Sequence, residues 1–280
     1  MTDRANDIRR EVSKNYAEAV SRPAQGGCCG GGAPVQKGAV VVLGGYSQSE
    51  LSKLPEEAVV NSFGCGNPVA LAGLAEGEVV LDLGSGAGID LFLAAKKVGP
   101  TGRVIGVDMT DAMIAKANQN IRKGNYTNVE VRKGIIEELP VDSSSVDWVI
   151  SNCVINLSPE KPRVFREIAR VLKPGGQMLV SDIVATDLPK QIRESSALYS
   201  SCVSGAIGED EYLAGLRAVG LVDVEVRGRL VYDAAQLEAM ASSESESACG
   251  CGAGHRELAA AARILAGKVW SAKIYARKPR

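Results

Sequence analysis

A chain of 280 residues with 45% hydrophobic and 23% charged residues has room for one sizeable α/β domain with additions, or for two small domains, and has an ordinary globular composition. Its formal net charge of −1 gives no general pull toward nucleic acid or an anionic membrane, so neither is expected as a partner. No apolar run approaches the ~20 residues of a membrane span. The polar start Met1-Thr2-Asp3-Arg4-Ala5-Asn6-Asp7 has no signal-peptide core, so the cytoplasm is the expected compartment.

In chain order, Ile8, Val12, Tyr16, Ala19 and Val20 recur at helical spacing and predict an amphipathic helix over 8–20. Gly26-Gly27-Cys28-Cys29-Gly30-Gly31-Gly32 cannot hold a helix and is expected to be a mobile loop carrying thiols. Asn61-Ser62-Phe63-Gly64-Cys65-Gly66-Asn67-Pro68 then reads as a tight exposed turn, followed by a helix over 69–73. A structural cysteine usually has apolar neighbours, and Cys65 has glycine on both sides.

The stretch Val79-Val80-Leu81-Asp82-Leu83 suits a strand buried on both faces of a parallel sheet. Glycines at 84, 86 and 88 follow, and helical spacing begins at Ile89. A strand that turns on glycine into a helix brings bare backbone up to a ligand. A second strand, Arg103–Asp108, ends on the carboxylate that in such folds accepts ribose hydroxyls. The two-and-two glycine spacing is not that of a dinucleotide turn. With Asp82 before it, the stretch resembles motif I of the class I methyltransferases that use S-adenosylmethionine.

Alternation continues with a helix over 111–123, strands over 129–132 and 146–152, a helix over 160–172 stopped by Lys173-Pro174-Gly175-Gly176, and a strand over 177–182. Gly84, Asp108, Gly134 and Asn152 fall at the carboxyl ends of strands, where open α/β sheets bind ligands. Cys153 follows Asn152 on that rim. Cys202 lies in a segment over 197–206 that reads as a substrate lid. A helix near 212–219, strands over 222–226 and 229–232, a helix over 258–266 and a strand over 269–276 complete the expected elements. Ser242–Gly254 reads as mobile; Cys249, Cys251 and His255 supply three ligands of the kind zinc accepts, without a fourth.

The expected architecture is α/β: a doubly wound, Rossmann-like class I methyltransferase sheet with N-terminal and C-terminal additions. Residues 1–55 form a helix and cysteine/glycine loop, 56–185 the cofactor-binding core, and 186–280 the lid and closing strands. Seven cysteines, at 28, 29, 65, 153, 202, 249 and 251, read as buried thiols, metal ligands or redox groups rather than a disulfide framework. The rim offers no histidine as a general base. Soft thiolates select thiophilic centres such as trivalent arsenic, whose lone pair can take a methyl group without a base.

The cofactor motif, the Phe63-Gly64-Cys65-Gly66-Asn67-Pro68 turn, Ser151-Asn152-Cys153-Val154-Ile155-Asn156-Leu157 and Ser201-Cys202-Val203-Ser204-Gly205-Ala206 together resemble the arsenite methyltransferase family. The resemblance implies S-adenosylmethionine as cofactor, bound by Phe63, Asp82, Gly84, Ser85, Gly86, Gly88, Asp108, Met109, Ile135, Ile136, Glu137 and Asn152. It implies As(III), as arsenite or its thiol conjugates, held by Cys65, Cys153 and Cys202. It also implies that Cys28 or Cys29 exchanges a disulfide with Cys65, with thioredoxin or glutathione as reductant. Two other readings stay open: a methyltransferase for a small organic acceptor of quinone or sterol type, with structural cysteines, and a non-catalytic metalloid-sequestering protein.

Overall fold

A computed structural model describes residues 3–21, 46–52, 54–60, 64, 66–193, 202–237 and 262–280. Cys28 and Cys29 with their loop, Phe63, Cys65, lid residues 197–201 and the Cys249–His255 stretch lie outside the described residues.

Seven strands make one sheet in the order β3-β2-β1-β4-β5-β7-β6. They are β1 Val79–Leu83, β2 Arg103–Asp108, β3 Val129–Lys133, β4 Val146–Asn152, β5 Leu172–Ala185, β6 Val222–Val231 and β7 Val269–Arg277. β1 through β5 pair in parallel, and β7 runs antiparallel between β5 and β6. Helices among the described residues include α1 Asp3–Ser21, α2 Gln48–Leu51, α3 Glu56–Val60, α4 Pro68–Leu71, α5 Ile89–Val98, α6 Asp111–Lys123, α7 Lys161–Val171, α8 Lys190–Arg193 and α9 Glu209–Ala218. This is the expected doubly wound sheet with additions at both ends. No helix among the described residues is long and apolar enough to cross a membrane.

Period-2 alternation sorts the strand side chains between two faces. Leu81, Leu83, Val149 and Met178 join a cluster that α7 and α9 cover with Val164, Phe165, Ile168, Tyr212 and Leu216. Val80, Trp148, Ile150 and Leu179 join a second cluster, covered by Leu91, Phe92 and Val98 of α5. Each such aliphatic or phenylalanine side chain, fully buried, contributes about 1.5–3 kcal/mol. A third apolar cluster includes Val12 of α1, Cys153, Ile183, Cys202, Tyr232 and Val269.

Several element boundaries differ from the sequence expectation, the start of α1 at Asp3 rather than 8 among them, and the largest differences in the sheet are two. The Lys173-Pro174-Gly175-Gly176 stretch ends α7, since Pro174 disfavours helix at Lys173, yet β5 already begins at Leu172. The ladder tolerates this through a bulge: Val146 pairs with Leu172, whereas Trp148 pairs with Gln177. The two strand pieces expected over 222–232 are one strand, irregular between Val226 and Gly228.

The order β2-β1-β4 puts the topological switch between β1 and β4. Helices leave the sheet there on opposite faces, and a crevice opens at the strands' carboxyl ends.

Candidate active site

A cleft fills that crevice. Its walls are the turns after successive strands: Gly84, Ser85 and Gly86 after β1; Met109 and Thr110 beyond Asp108 of β2; Gly134, Ile135, Ile136 and Glu137 after β3; Cys153 and Val154 beyond Asn152 of β4. Gly84 has a φ of +67°, and a Cβ there would come within 2.4 Å of Val154, so this turn accepts no side chain. Arg9, Val12 and Tyr16 of α1 close one side of the cleft.

Asp108 is held at both carboxylate oxygens. Oδ2 accepts the Gly86 N–H at 3.0 Å and Oδ1 the Thr110 N–H at 2.8 Å. Burial raises its pKa, and these two N–H groups act against the rise. Asp82 is 2% exposed; burial, then the charges of Asp90 and Asp108, push it well above the usual carboxylate range. Asp90, in the first turn of α5, accepts the Tyr46 hydroxyl at 2.8 Å and the Asn152 amide at 3.1 Å. Burial, with Asp90 next, pushes the Tyr46 phenol well above its ordinary value.

Arg9 is the one basic residue among those lining the cleft. It is committed at the far end, where its guanidinium meets Glu137 at 2.9 Å and also pairs with Glu160. Glu137 accepts the Ser158 hydroxyl as well, at 2.6 Å. The floor thus gathers three carboxyl groups, Asp82, Asp90 and Asp108, while the one basic lining residue is committed at the far end.

The two described cysteines meet at the rim. Cys153 and Cys202 are 5% and 4% exposed. The Cys202 thiol donates to the Cys153 carbonyl at 2.7 Å, and the Cys153 N–H donates to the Ser181 carbonyl at 2.8 Å. Cys153 is disulfide-bonded, whereas Cys202 keeps its thiol. Nearby, burial pushes the Tyr232 phenol up to about 12, and the charge of Cys202 adds to the effect. Lys161 donates to the carbonyls of Asn156 and Ser158 at 3.2 and 3.0 Å. Burial lowers the Lys161 pKa, with Asp182 the leading charge opposing it. Burial also raises Asp182, to about 7.

Of the residues expected to bind cofactor, the cleft brings together Asp82, Gly84, Ser85, Gly86, Asp108, Met109, Ile135, Ile136, Glu137 and Asn152, with Cys153 beside them. Gly88 is not among the lining residues; it caps α5 at a φ of +102°. Glu137, expected among the cofactor-binding residues, spends its carboxylate on Arg9 and Ser158. Cys202 reaches the rim through its bond to Cys153. Sequence reasoning missed Arg9, Tyr46, Asp90 and Thr110. The spacing of Arg9, Val12 and Tyr16 places them on one face of a helix, which is the signal that could have marked Arg9. Tyr46, alone beside glycines, carried none.

Comparison with known proteins gives a consistent relationship. Residues 74–220 match the protein family described as a methyltransferase domain. The chain is 49% identical over 183 residues to the arsenite methyltransferase of Halobacterium salinarum, covering 65% of this chain and 46% of that one. It is 33% identical over 214 residues to human arsenite methyltransferase, covering 72% and 54%. Among solved structures, it resembles CrArsM, an arsenic(III) S-adenosylmethionine methyltransferase from Chlamydomonas reinhardtii. That match has a TM-score of 0.60 at 32% identity, with 89% of this chain and 75% of that one covered. The chain spans about half the length of the curated relatives it matches.

Proposed function

The chain belongs to the arsenite methyltransferase family, among the S-adenosylmethionine-dependent methyltransferases, and from that premise we propose that it transfers the methyl group of S-adenosylmethionine to thiol-bound trivalent arsenic. One observation carries this reading. The Cys202 thiol donates to the Cys153 main-chain carbonyl at the rim of the cleft, so once the Cys153 disulfide is reduced two soft donors stand together beside the site this reading gives the cofactor.

S-adenosylmethionine supplies an electrophilic methyl group on a cationic sulfonium. The chain's residues suit that ligand: Asp82, Asp90 and Asp108 give an acidic floor, and the Asp108 oxygens retain lone pairs for ribose hydroxyls beyond the N–H groups of Gly86 and Thr110. Ile135 and Ile136 line the cleft beyond β3, and in this reading their backbone would meet the adenine. Arg9 closes that end from α1 by neutralising Glu137.

On the arsenic side, arsenous acid and three thiols give a tris-thiolate and three waters, so each thiol proton leaves with a hydroxide. Cys65, Cys153 and Cys202 are the three thiols in this reading. The arsenic lone pair would take the methyl carbon as S-adenosylhomocysteine leaves, which raises arsenic to the pentavalent level. Two of the thiolates leaving as a disulfide would supply the two electrons that restore trivalent methylarsenic, and no residue has to act as a base. The disulfide at Cys153 is an oxidised state in this scheme. Two reducing equivalents, from thioredoxin or glutathione, open it before arsenic binds, and Cys28 or Cys29 acts as relay to Cys65.

The decisive measurement is S-adenosylhomocysteine formation in reduced protein with and without arsenite. Arsenite-dependent formation supports the proposal. Arsenic binding without turnover would make the protein a sequestering one, and turnover with an organic acceptor that survives Cys153→Ser would make the cysteines structural.

A further inference from the structure

Asn152 sits between the cofactor cleft and the thiols, and its carboxamide does more than line the cleft. Its Oδ1 accepts the Gly66 N–H at 3.0 Å, and its Nδ2 donates to the Gly66 carbonyl at 2.5 Å. One side chain therefore grips both main-chain polar groups of a single residue, as a paired strand would. Gly64 lies flush on the same amide: a Cβ at Gly64 would come within 2.2 Å of Nδ2. Gly64 and Gly66 flank Cys65 in the sequence. Cys153 immediately follows Asn152, and its carbonyl receives the Cys202 thiol at 2.7 Å.

The orientation of the amide is fixed by its partners. The Gly66 carbonyl and the Asp90 carboxylate only accept, so Nδ2 faces both; the Gly66 N–H only donates, so Oδ1 faces it. Tyr46 completes the shell at 2.8 Å from Nδ2. The flanks of Cys65 and the backbone of Cys153, whose carbonyl receives the Cys202 thiol, thus meet at one residue, itself held by Asp90.

We propose that Asn152 is the positioning residue of the arsenic site, its carboxamide holding the Gly64–Gly66 turn so that the Cys65 thiol meets those of Cys153 and Cys202 around one arsenic atom. This rests on the three-thiol reading above. Inorganic arsenite needs all three sulfurs, whereas trivalent methylarsenite, with one valence already filled by carbon, needs two. Misplacing the Cys65 turn by about 1 Å is enough to cost about 100-fold in a reaction that depends on it.

Asn152→Asp keeps the shape and replaces the donor with a carboxylate facing Asp90 and the Gly66 carbonyl. In reduced protein, the ratio of kcat/KM for arsenite to that for methylarsenite is expected to fall about 100-fold. Any shared loss from weaker cofactor binding cancels in that ratio. X-ray absorption at the arsenic edge, recorded without cofactor, is expected to count three sulfurs around arsenite in the wild type and two in the variant. Gly64→Ala, which drives a methyl group into the same amide from the other side, should shift both readouts in the same direction. An unchanged ratio with three sulfurs in whichever variant folds overturns the role of Asn152. Fewer than three sulfurs in the wild type overturns the three-thiol reading itself.

Discussion

The Cys202 thiol donates to the main-chain carbonyl of Cys153 at 2.7 Å, and both residues hold left-handed backbone, with φ of +62° and +59°. That conformation costs a residue with a Cβ on the order of 1–2 kcal/mol, and it persists where the surroundings over-determine it. Here they do: the Ser181 carbonyl fixes the Cys153 amide, and the two cysteines share one buried apolar cluster.

Cys153→Ser and Cys202→Ser are each expected to abolish methylation of both arsenite and trivalent methylarsenite. Serine keeps the approximate size and loses the soft donor, so S-adenosylmethionine binding measured by calorimetry should survive. Normal turnover in either variant places the arsenic elsewhere.

Cys65→Ser should lose activity on arsenite and keep much of it on methylarsenite, since two thiolates suffice once carbon fills one valence. The Cys28→Ser/Cys29→Ser double variant should behave in the same way as a relay defect. Equal loss on both substrates in both variants ends this division of labour.

Asp108→Ala should weaken S-adenosylmethionine binding tenfold or more. Hydrogen bonds to a charged group contribute about 1.5–3 kcal/mol each, and this carboxylate also orders the Gly86 N–H of the turn. A folded variant with unchanged affinity takes Asp108 out of the site.

The Arg9–Glu137 pair is buried at both ends, with side chains 8% and 3% exposed. Arg9→Met leaves that carboxylate uncompensated, at an expected cost of about 3–5 kcal/mol in urea unfolding. Adding Glu137→Gln should restore much of the loss. If the double variant is no more stable than the single, the pair is not what fastens α1.

Asp182 titrates near pH 7 in the folded chain and near 3.9 unfolded. Folded protein therefore keeps a proton that unfolded protein releases. Its contribution is fully present below about pH 4 and is lost as pH rises through about 7. Asp182→Asn should flatten the fall in stability between those limits. The same slope in the variant assigns the titration to another group.

Most of this architecture was legible because local pattern and tertiary outcome agree. β2 over 103–108, α6 over 111–123 and β4 over 146–152 have the expected limits, each apolar pattern being bounded by polar or glycine residues. The misses share a cause, which is a distant partner. Asp3–Asp7 has no apolar period, so the start of α1 was not visible in the sequence. Lys173–Gly176 reads as a stop until β4 and Lys278 supply its partners: the Lys278 N–H donates to the Gly176 carbonyl at 2.8 Å. Arg9 shares the helix face of Val12 and Tyr16 by spacing, but only the fold brings it to Glu137, 128 positions away.

The placement of β7 between β5 and β6 also sets an order of events during synthesis. Among the described strands, β6 pairs only with β7, yet it leaves the ribosome first. Until residues 269–277 emerge, β6 has no ladder to join and the edge of β5 stays open, exposing nascent chains to mispairing at that edge. Deleting β7 should leave a protein that aggregates through β5, even though the crevice is built almost entirely from earlier residues.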